Sequence, residues 1–218
     1  MTGRYHNIDD LPQTLPIFPL SGVLLLPRGN LPLNVFEPRY LAMIDGALAG
    51  SRLIGMIQPS EPEDKVLKPA LSAVGCAGRI TSYRETEDNR YLITLTGVCR
   101  FRVGEELNSD TPYRQVRADF GPFAGDLVEG DDSDFPRERL LAALKGYLSQ
   151  RDLKADWRSV MSAPAETLVN ALAMLCPFEP AEKQALLEAA GWQERVATLV
   201  ALLEITGNEP AGGTPTVN

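Results

Sequence analysis

The sequence offers one histidine, His6, three cysteines, Cys76, Cys99 and Cys176, and five lysines, Lys65, Lys68, Lys145, Lys154 and Lys183. Nucleophilic, acid–base and metal chemistry at neutral pH is usually assembled from these residue types. A lone histidine in a polar N-terminal stretch has no partner for a zinc site or an HExxH helix, and it sits on no ordered element for a Ser-His-Asp triad. The cysteines are odd in number, far apart and in no CxxC spacing, so they read as reduced, buried thiols with no metal among them. A Ser-Lys dyad needs a lysine held in a dry pocket. All five lysines fall in loops or on polar helix faces, where exposure to solvent is expected. There is no GxxxxGK[ST] phosphate loop and no GxGxxG after a strand, and Leu20-Ser21-Gly22 lacks a nucleophile elbow. No catalytic residue, metal site or cofactor is expected.

Carboxylates remain. Glu61, Glu63 and Asp64 lie in one acidic loop, Pro59–Pro69, and spacing alone does not set them across a cleft. The segment at 124–134, AGDLVEGDDSD, holds five carboxylates and two glycines, but it fails the alternate-ligand pattern of a twelve-residue calcium loop and reads as an acidic linker. The most unusual local text is Phe36-Glu37-Pro38-Arg39-Tyr40, a charged pair at a helix start inside an apolar run. Glu37 is placed to accept N–H bonds at the helix N-terminus, and Arg39 to fork onto a carboxylate or loop carbonyls. We read the pair as mainly structural, with anion capture as the functional alternative.

The elements that must position these residues change character halfway along the chain. The 218 residues allow one or two domains with a real core, and 44% apolar with 23% charged residues is ordinary for a globular protein. Residues 1–123 carry 13 basic and 14 acidic side chains, whereas 124–218 carry 8 and 15, out of a total net charge of −8. An acidic balance argues against a dedicated nucleic-acid binder. No run approaches a membrane span and no secretory signal is visible, so a cytoplasmic location is expected.

Residues 1–13 read as a loose, flexible arm. From Thr14 the text reads as strands: Leu15–Leu20, Val23–Leu26, Leu33–Phe36, Arg52–Gln58, Ala73–Glu85, Tyr91–Thr96, Cys99–Val103 and Tyr113–Phe120. Gly75 and Gly78 suggest a bulge or a close backbone approach, and Gly97 punctuates the run. Pro38 opens one helix within this set, running to about Leu48 with Tyr40, Leu41, Ile44 and Leu48 as its buried stripe. After the linker the apolar period changes from 2 to 3.6, predicting helices over Phe135–Arg151, Asp156–Met161, from Pro164 to Pro177, from Pro180 to Gly191, and from Gln193 to Thr206. The Gly- and Pro-rich tail, 208–218, reads as disordered. The expected fold class is α+β: a β-rich lobe at 14–123 curled into a partly closed barrel, an acidic linker at 124–133 and a helical bundle lobe at 134–207.

Several of these segments together resemble the Lon protease N-terminal, substrate-binding domain family. They are Leu15-Pro16-Ile17-Phe18-Pro19-Leu20, Val23-Leu24-Leu25-Leu26-Pro27, Leu31-Pro32-Leu33, Phe36-Glu37-Pro38-Arg39-Tyr40, Gly75-Cys76-Ala77-Gly78-Arg79-Ile80 and Leu95-Thr96-Gly97-Val98-Cys99-Arg100-Phe101. In the helical half the resemblance rests on Glu182-Lys183-Gln184-Ala185-Leu186-Leu187-Glu188 and Glu194-Arg195. It spans roughly Leu15 to Thr206, and the order of the motifs is specific. It implies a PUA-like β-domain followed by a helical bundle, of bacterial type. In full-length Lon an ATPase module and a Ser-Lys protease module follow this region; this sequence departs from that pattern, in keeping with its missing phosphate loop, and a stand-alone form without either module is expected.

The function so implied is non-catalytic capture of unfolded or tagged polypeptides, or of apolar peptide segments, as an adaptor or chaperone-like factor. A separate Lon-type protease and a second copy of the chain are further partners left open; no membrane partner is expected. Two alternatives stay open. One is RNA binding, kept by the pairs Arg100/Arg102 and Arg114/Arg117; the other is a small-molecule binder or enzyme using the barrel cleft. For the peptide surface the candidates are Leu24 and Leu26, apolar within a run too continuous for a half-buried strand, with Met56 and Ile57 extending the patch. Cover by the helical half is the competing reading of the same four residues.

Overall fold

The computed structural model describes residues 5–60, 68–128 and 134–206. The acidic loop carboxylates Glu61, Glu63 and Asp64, Lys65, residues 129–133 of the linker and the tail from 208 lie outside the described residues.

Six strands form one sheet: β1 (Thr14–Pro19), β2 (Asn30–Val35), β3 (Leu53–Ile57), β4 (Val74–Glu85), β5 (Tyr91–Glu106) and β6 (Gln115–Asp119). The spatial order is β2-β5-β4-β3-β1-β6, and a further β5–β6 pairing closes the last five into a ring. Only β1 and β3 run parallel, with Ile17 beside Gly55; the other pairings are antiparallel. The parallel step is made by α1 (Pro38–Ala49), which returns the chain from β2 to β3. Proline at the first turn suits α1, and Tyr40, Met43, Ile44 and Ala47 are its buried face. Leu41 and Leu48, expected on that stripe, are only half-buried.

β5 is what lets the sheet close. The sequence reads as two strands broken at Gly97, but the structure has a single strand of 16 residues. Its first half pairs with β2, Asn30 to Thr96 through Val35 to Tyr91, and its second half with β6, Arg102 opposite Asp119. Gly97 does not interrupt the ladder. It admits a neighbouring chain, since a Cβ there would stand 2.0 Å from the Leu26 carbonyl oxygen. The β4–β5 register shifts between Ala77 and Gly78, at the bulge the glycines foretold.

Val23–Leu26 is not a strand. The stretch is irregular, and Leu24, Leu25 and Leu26 are buried between the barrel and the helical half. Side chains of the helical half tie its backbone down: Lys183 Nζ donates to the Gly22 carbonyl at 2.8 Å and Asn170 Nδ2 to the Pro27 carbonyl at 2.8 Å. An apolar run without alternation fits a segment covered on every side as well as it fits a buried strand. The N-terminal arm also departs from expectation, because Ile8–Asp10 form a 3-10 turn capped by Asn7 and Leu11 is buried.

The helices are α2 (Arg137–Gln150), α3 (Trp157–Ser162), α4 (Ala165–Leu175), α5 (Pro180–Glu188) and α6 (Trp192–Thr206). Leu140, Leu144 and Tyr147 of α2 and Val196, Leu199, Val200 and Leu203 of α6 are buried at the predicted spacing. Strand and helix residues join in one hydrophobic cluster, from Leu15 and Phe101 to Leu186 and Leu203. Within the linker range, a 3-10 segment (Gly121–Leu127) precedes the undescribed residues. Asp126, read as a solvated linker carboxylate, is instead buried against Arg100.

Candidate functional site

The start of α1 opens onto a groove of about 490 Å³ between the end of β1, the Lys68–Pro69 segment and the β5–β6 connection. Aromatic rings form part of its wall. Phe18 and Tyr40 lie 4.2 Å apart between centroids. Tyr113 stands against α1 at Gly46, where a Cβ would come within 2.7 Å of its hydroxyl oxygen. Charged pairs complete the lining. Arg39 Nε and Nη2 reach Glu37 Oε2 at 3.0 and 2.9 Å, and the Arg39 guanidinium lies 4.5 Å over the Tyr40 ring. Opposite them, Arg114 forks onto Glu106 at 3.0 and 2.9 Å and donates to the Pro69 carbonyl at 2.7 Å. Lys68 Nζ adds a contact of 3.1 Å to the same carboxylate.

These contacts decide what the groove can do. Hydrogen bonding from Arg114 holds the Glu106 carboxyl below the usual range, and burial pushes the Tyr40 phenol up. At neutral pH Glu106 therefore stays ionised and Tyr40 stays protonated. Neither is poised to exchange a proton, whereas both can hydrogen-bond a ligand. The groove offers hydrogen-bond donors and acceptors along aromatic walls, which suits an extended chain with a polar backbone.

The residues foreseen from sequence fall in different places. Glu37 is the N-cap residue of α1, but its side chain makes no cap bond. The carboxylate turns to the Arg39 guanidinium instead. Glu37, Arg39 and Tyr40 all line the groove, while Phe36 is exposed with Arg90 stacked 5.2 Å from its ring. Leu24, Leu26, Met56 and Ile57 form no exposed patch: all four are buried, at 2%, 0%, 3% and 2% of their reference surface. The helical half and the barrel interior cover them, so they are core rather than docking surface.

Lys68, Glu106, Tyr113 and Arg114 were not foreseen as a site. Their separation in sequence gives no local signal, and only barrel closure brings them to α1. The arginines kept for an RNA reading are partly spent, since Arg100 is buried on Asp126 and Arg114 is held by Glu106. Lys183, expected in solvent, is buried on the Gly22 carbonyl, and burial lowers its pKa. The three cysteines are buried and free.

With this geometry described, comparison with known proteins places the chain. The family model for the ATP-dependent protease La (Lon) substrate-binding domain matches residues 14–204. The chain belongs to that family. Lon protease 2 of Myxococcus xanthus is 33% identical over 114 residues, 52% of this chain and 14% of that protein. The Lon protease of Desulfosudis oleivorans is 33% identical over 144 residues, 65% of this chain and 17% of that protein. The matched stretch is thus less than a fifth of either relative. Among solved structures, a Lon N-terminal domain protein from Xanthomonas campestris superposes with a TM-score of 0.60 at 24% identity, covering 87% of this chain and 98% of that one. The N-terminal domain of Mycobacterium avium complex Lon protease gives 0.58 at 18% identity, covering 87% and 97%. These two likenesses establish the α+β fold. Among the described residues, no helix is long and apolar enough to cross a membrane.

Proposed function

We propose that this chain binds extended segments of unfolded polypeptide in the groove at the α1 start and acts by presentation rather than by chemistry, as an adaptor or chaperone-like factor. The carrying observation is the family: the model that matches 14–204 is that of a substrate-binding domain. The groove supports the location, because aromatic walls from Phe18, Tyr40 and Tyr113 lie beside the Arg39–Glu37 and Arg114–Glu106 pairs. Aromatic surface gives affinity with little sequence preference, and the charged pairs can bond a peptide's amides and carbonyls. The division into a β-rich lobe at 14–123 and a helical lobe at 134–207 belongs to the same reading, with the barrel as recognition unit and the helices as its support. A separate Lon-type protease would receive what is captured.

The test is fluorescence anisotropy with a labelled, permanently unfolded protein and its folded counterpart. The wild-type chain is expected to bind the unfolded form and ignore the folded one. Tyr113→Ala and Arg39→Ala should each weaken binding by about tenfold, a difference of about 1.4 kcal/mol, with the thermal midpoint little changed. Undiminished binding by both variants would remove the groove from the proposal.

A further inference from the structure

A second cleft, about 540 Å³, lies where the barrel meets the helical half. Among the described residues three arginines line it, Arg28, Arg100 and Arg195, with two carboxylates, Asp126 and Glu166. Those two are already committed. Asp126 takes Nε and Nη2 of Arg100, each at 2.9 Å, and Glu166 takes Nε of Arg28 at 2.8 Å together with its Nη2. Arg195 is left over. It is only 3% exposed, its Nε donates to the Leu186 carbonyl at 3.3 Å, and its buried Nη2 has no hydrogen-bond partner among the described residues. Burial and the nearby Arg100 charge pull its pKa down to about 10, against the smaller opposing pull of Asp126 and Glu166.

Two helix N-termini open on the same space. α4 starts behind Pro164 with no side-chain cap, and α6 starts at Trp192. The uncapped N–H groups of α4 and the positive ends of both dipoles add to the Arg195 charge, set against the first-turn carboxylates Glu166, which Arg28 holds, and Glu194, which accepts from the Ala190 N–H at 2.7 Å. Trp192 is among the lining residues, its ring 5.9 Å from that of Phe135. The volume falls in the range of small-molecule sites, roughly 300–1,000 Å³.

We propose that this cleft binds a phosphate-bearing small molecule of about nucleotide size, its anion held by Arg195 and the N-termini of α4 and α6, its ring against Trp192. The phosphate supplies the charge the two carboxylates do not, and the site is independent of the polypeptide groove.

The experiment is calorimetric and fluorescence titration of the full chain with pyrophosphate, ATP and adenosine. Trp157→Phe is the background, so that the emission reports Trp192. Pyrophosphate and ATP are expected to bind saturably, ATP with a change in Trp192 emission, and adenosine alone to bind at least about tenfold more weakly than ATP. Thr167, exposed in the first turn of α4 and part of the lining, provides a variant that leaves the core untouched. Thr167→Asp should weaken both phosphates by about tenfold or more by placing a carboxylate at the anion position, while Thr167→Lys should not. Arg195→Met should remove binding. Failure of both phosphates to saturate, adenosine binding as tightly as ATP, or an unchanged affinity in Thr167→Asp would overturn the proposal.

Discussion

Arg100 and Asp126 face each other as fork and carboxylate, with Nε on Oδ2 and Nη2 on Oδ1, both at 2.9 Å, and both side chains buried. The Arg100 backbone N–H also donates to Asp126 Oδ2 at 3.0 Å, and the remaining guanidinium nitrogen, Nη1, reaches the carbonyls of Leu187 and Ala189. One residue of β5 thus joins the barrel wall to the 3-10 segment and to the end of α5. Fully satisfied, such a pair fixes how two halves of a protein pack. Half removed, it leaves a charge in a dry site.

Asp126→Asn should therefore destabilise the chain by about 3–5 kcal/mol, the cost of leaving a buried cation without its counter-charge. Urea unfolding at neutral pH measures it. The pair Arg100→Met with Asp126→Leu should recover most of the loss, because the desolvation penalty leaves with the charges. A single variant as stable as wild type would show that the ion pair does not hold the halves together.

What the sequence made legible follows periodicity. The barrel strands and α2 to α6 appear where alternation or a 3.6 period is clean, and Pro38 marks the first turn of α1. Legibility fails where a residue's environment is set by a distant segment. Asp126 sits in an acidic, Gly-containing run and reads as solvated, yet Arg100 is 26 positions away and finds it. Lys183 reads as one cation on a polar helix face until the irregular 20–29 segment brings the Gly22 carbonyl to it. The site divides the same way. Glu37, Arg39 and Tyr40 stand out as local text, whereas Lys68, Glu106, Tyr113 and Arg114 join them only when β5 and β6 pair.

The contact between Gly97 and Leu26 gives the second prediction. Arg28 N–H donates to the Gly97 carbonyl at 2.8 Å, and Gly97 N–H donates to the Gly29 carbonyl at 2.8 Å, so the irregular segment is laced to β5 at a position with no room for a side chain. The atom a Cβ would meet is backbone, which cannot rotate away. Gly97→Ala should cost at least about 1–3 kcal/mol as an overpacked site, and Leu26→Ala about 2–5 kcal/mol through the cavity left behind. Both are read as shifts of the urea midpoint. Leu26→Asp should fail to fold, and a stable Leu26→Asp that had lost only polypeptide binding would return this residue to the surface.

The final prediction concerns acid. Arg114 forks onto Glu106, Lys68 adds its ammonium, and the folded-state pKa of Glu106 lies below its ordinary value of 4.5. A carboxylate with a depressed folded pKa binds its proton more readily when unfolded. Its stabilising contribution is therefore fully present above the unfolded pKa and is lost as pH falls through the folded one. Arg114→Met removes the main cause of the depression, so the variant should be less stable than wild type at pH 7, and the gap should narrow through the acid range below about pH 4.5. Glu106→Gln should show the same convergence. Arg139 and Glu204 form a similar fork with a lowered carboxylate on the surface, so wild type and both variants share its acid sensitivity. The measurement is the difference in urea-unfolding free energy between wild type and variant at each pH from 7 to 3, in which that shared part cancels. A difference that stayed constant across the range would mean that Arg114 stabilises the groove by packing and its bond to Pro69 alone, and that Glu106 contributes no charge-dependent stability there.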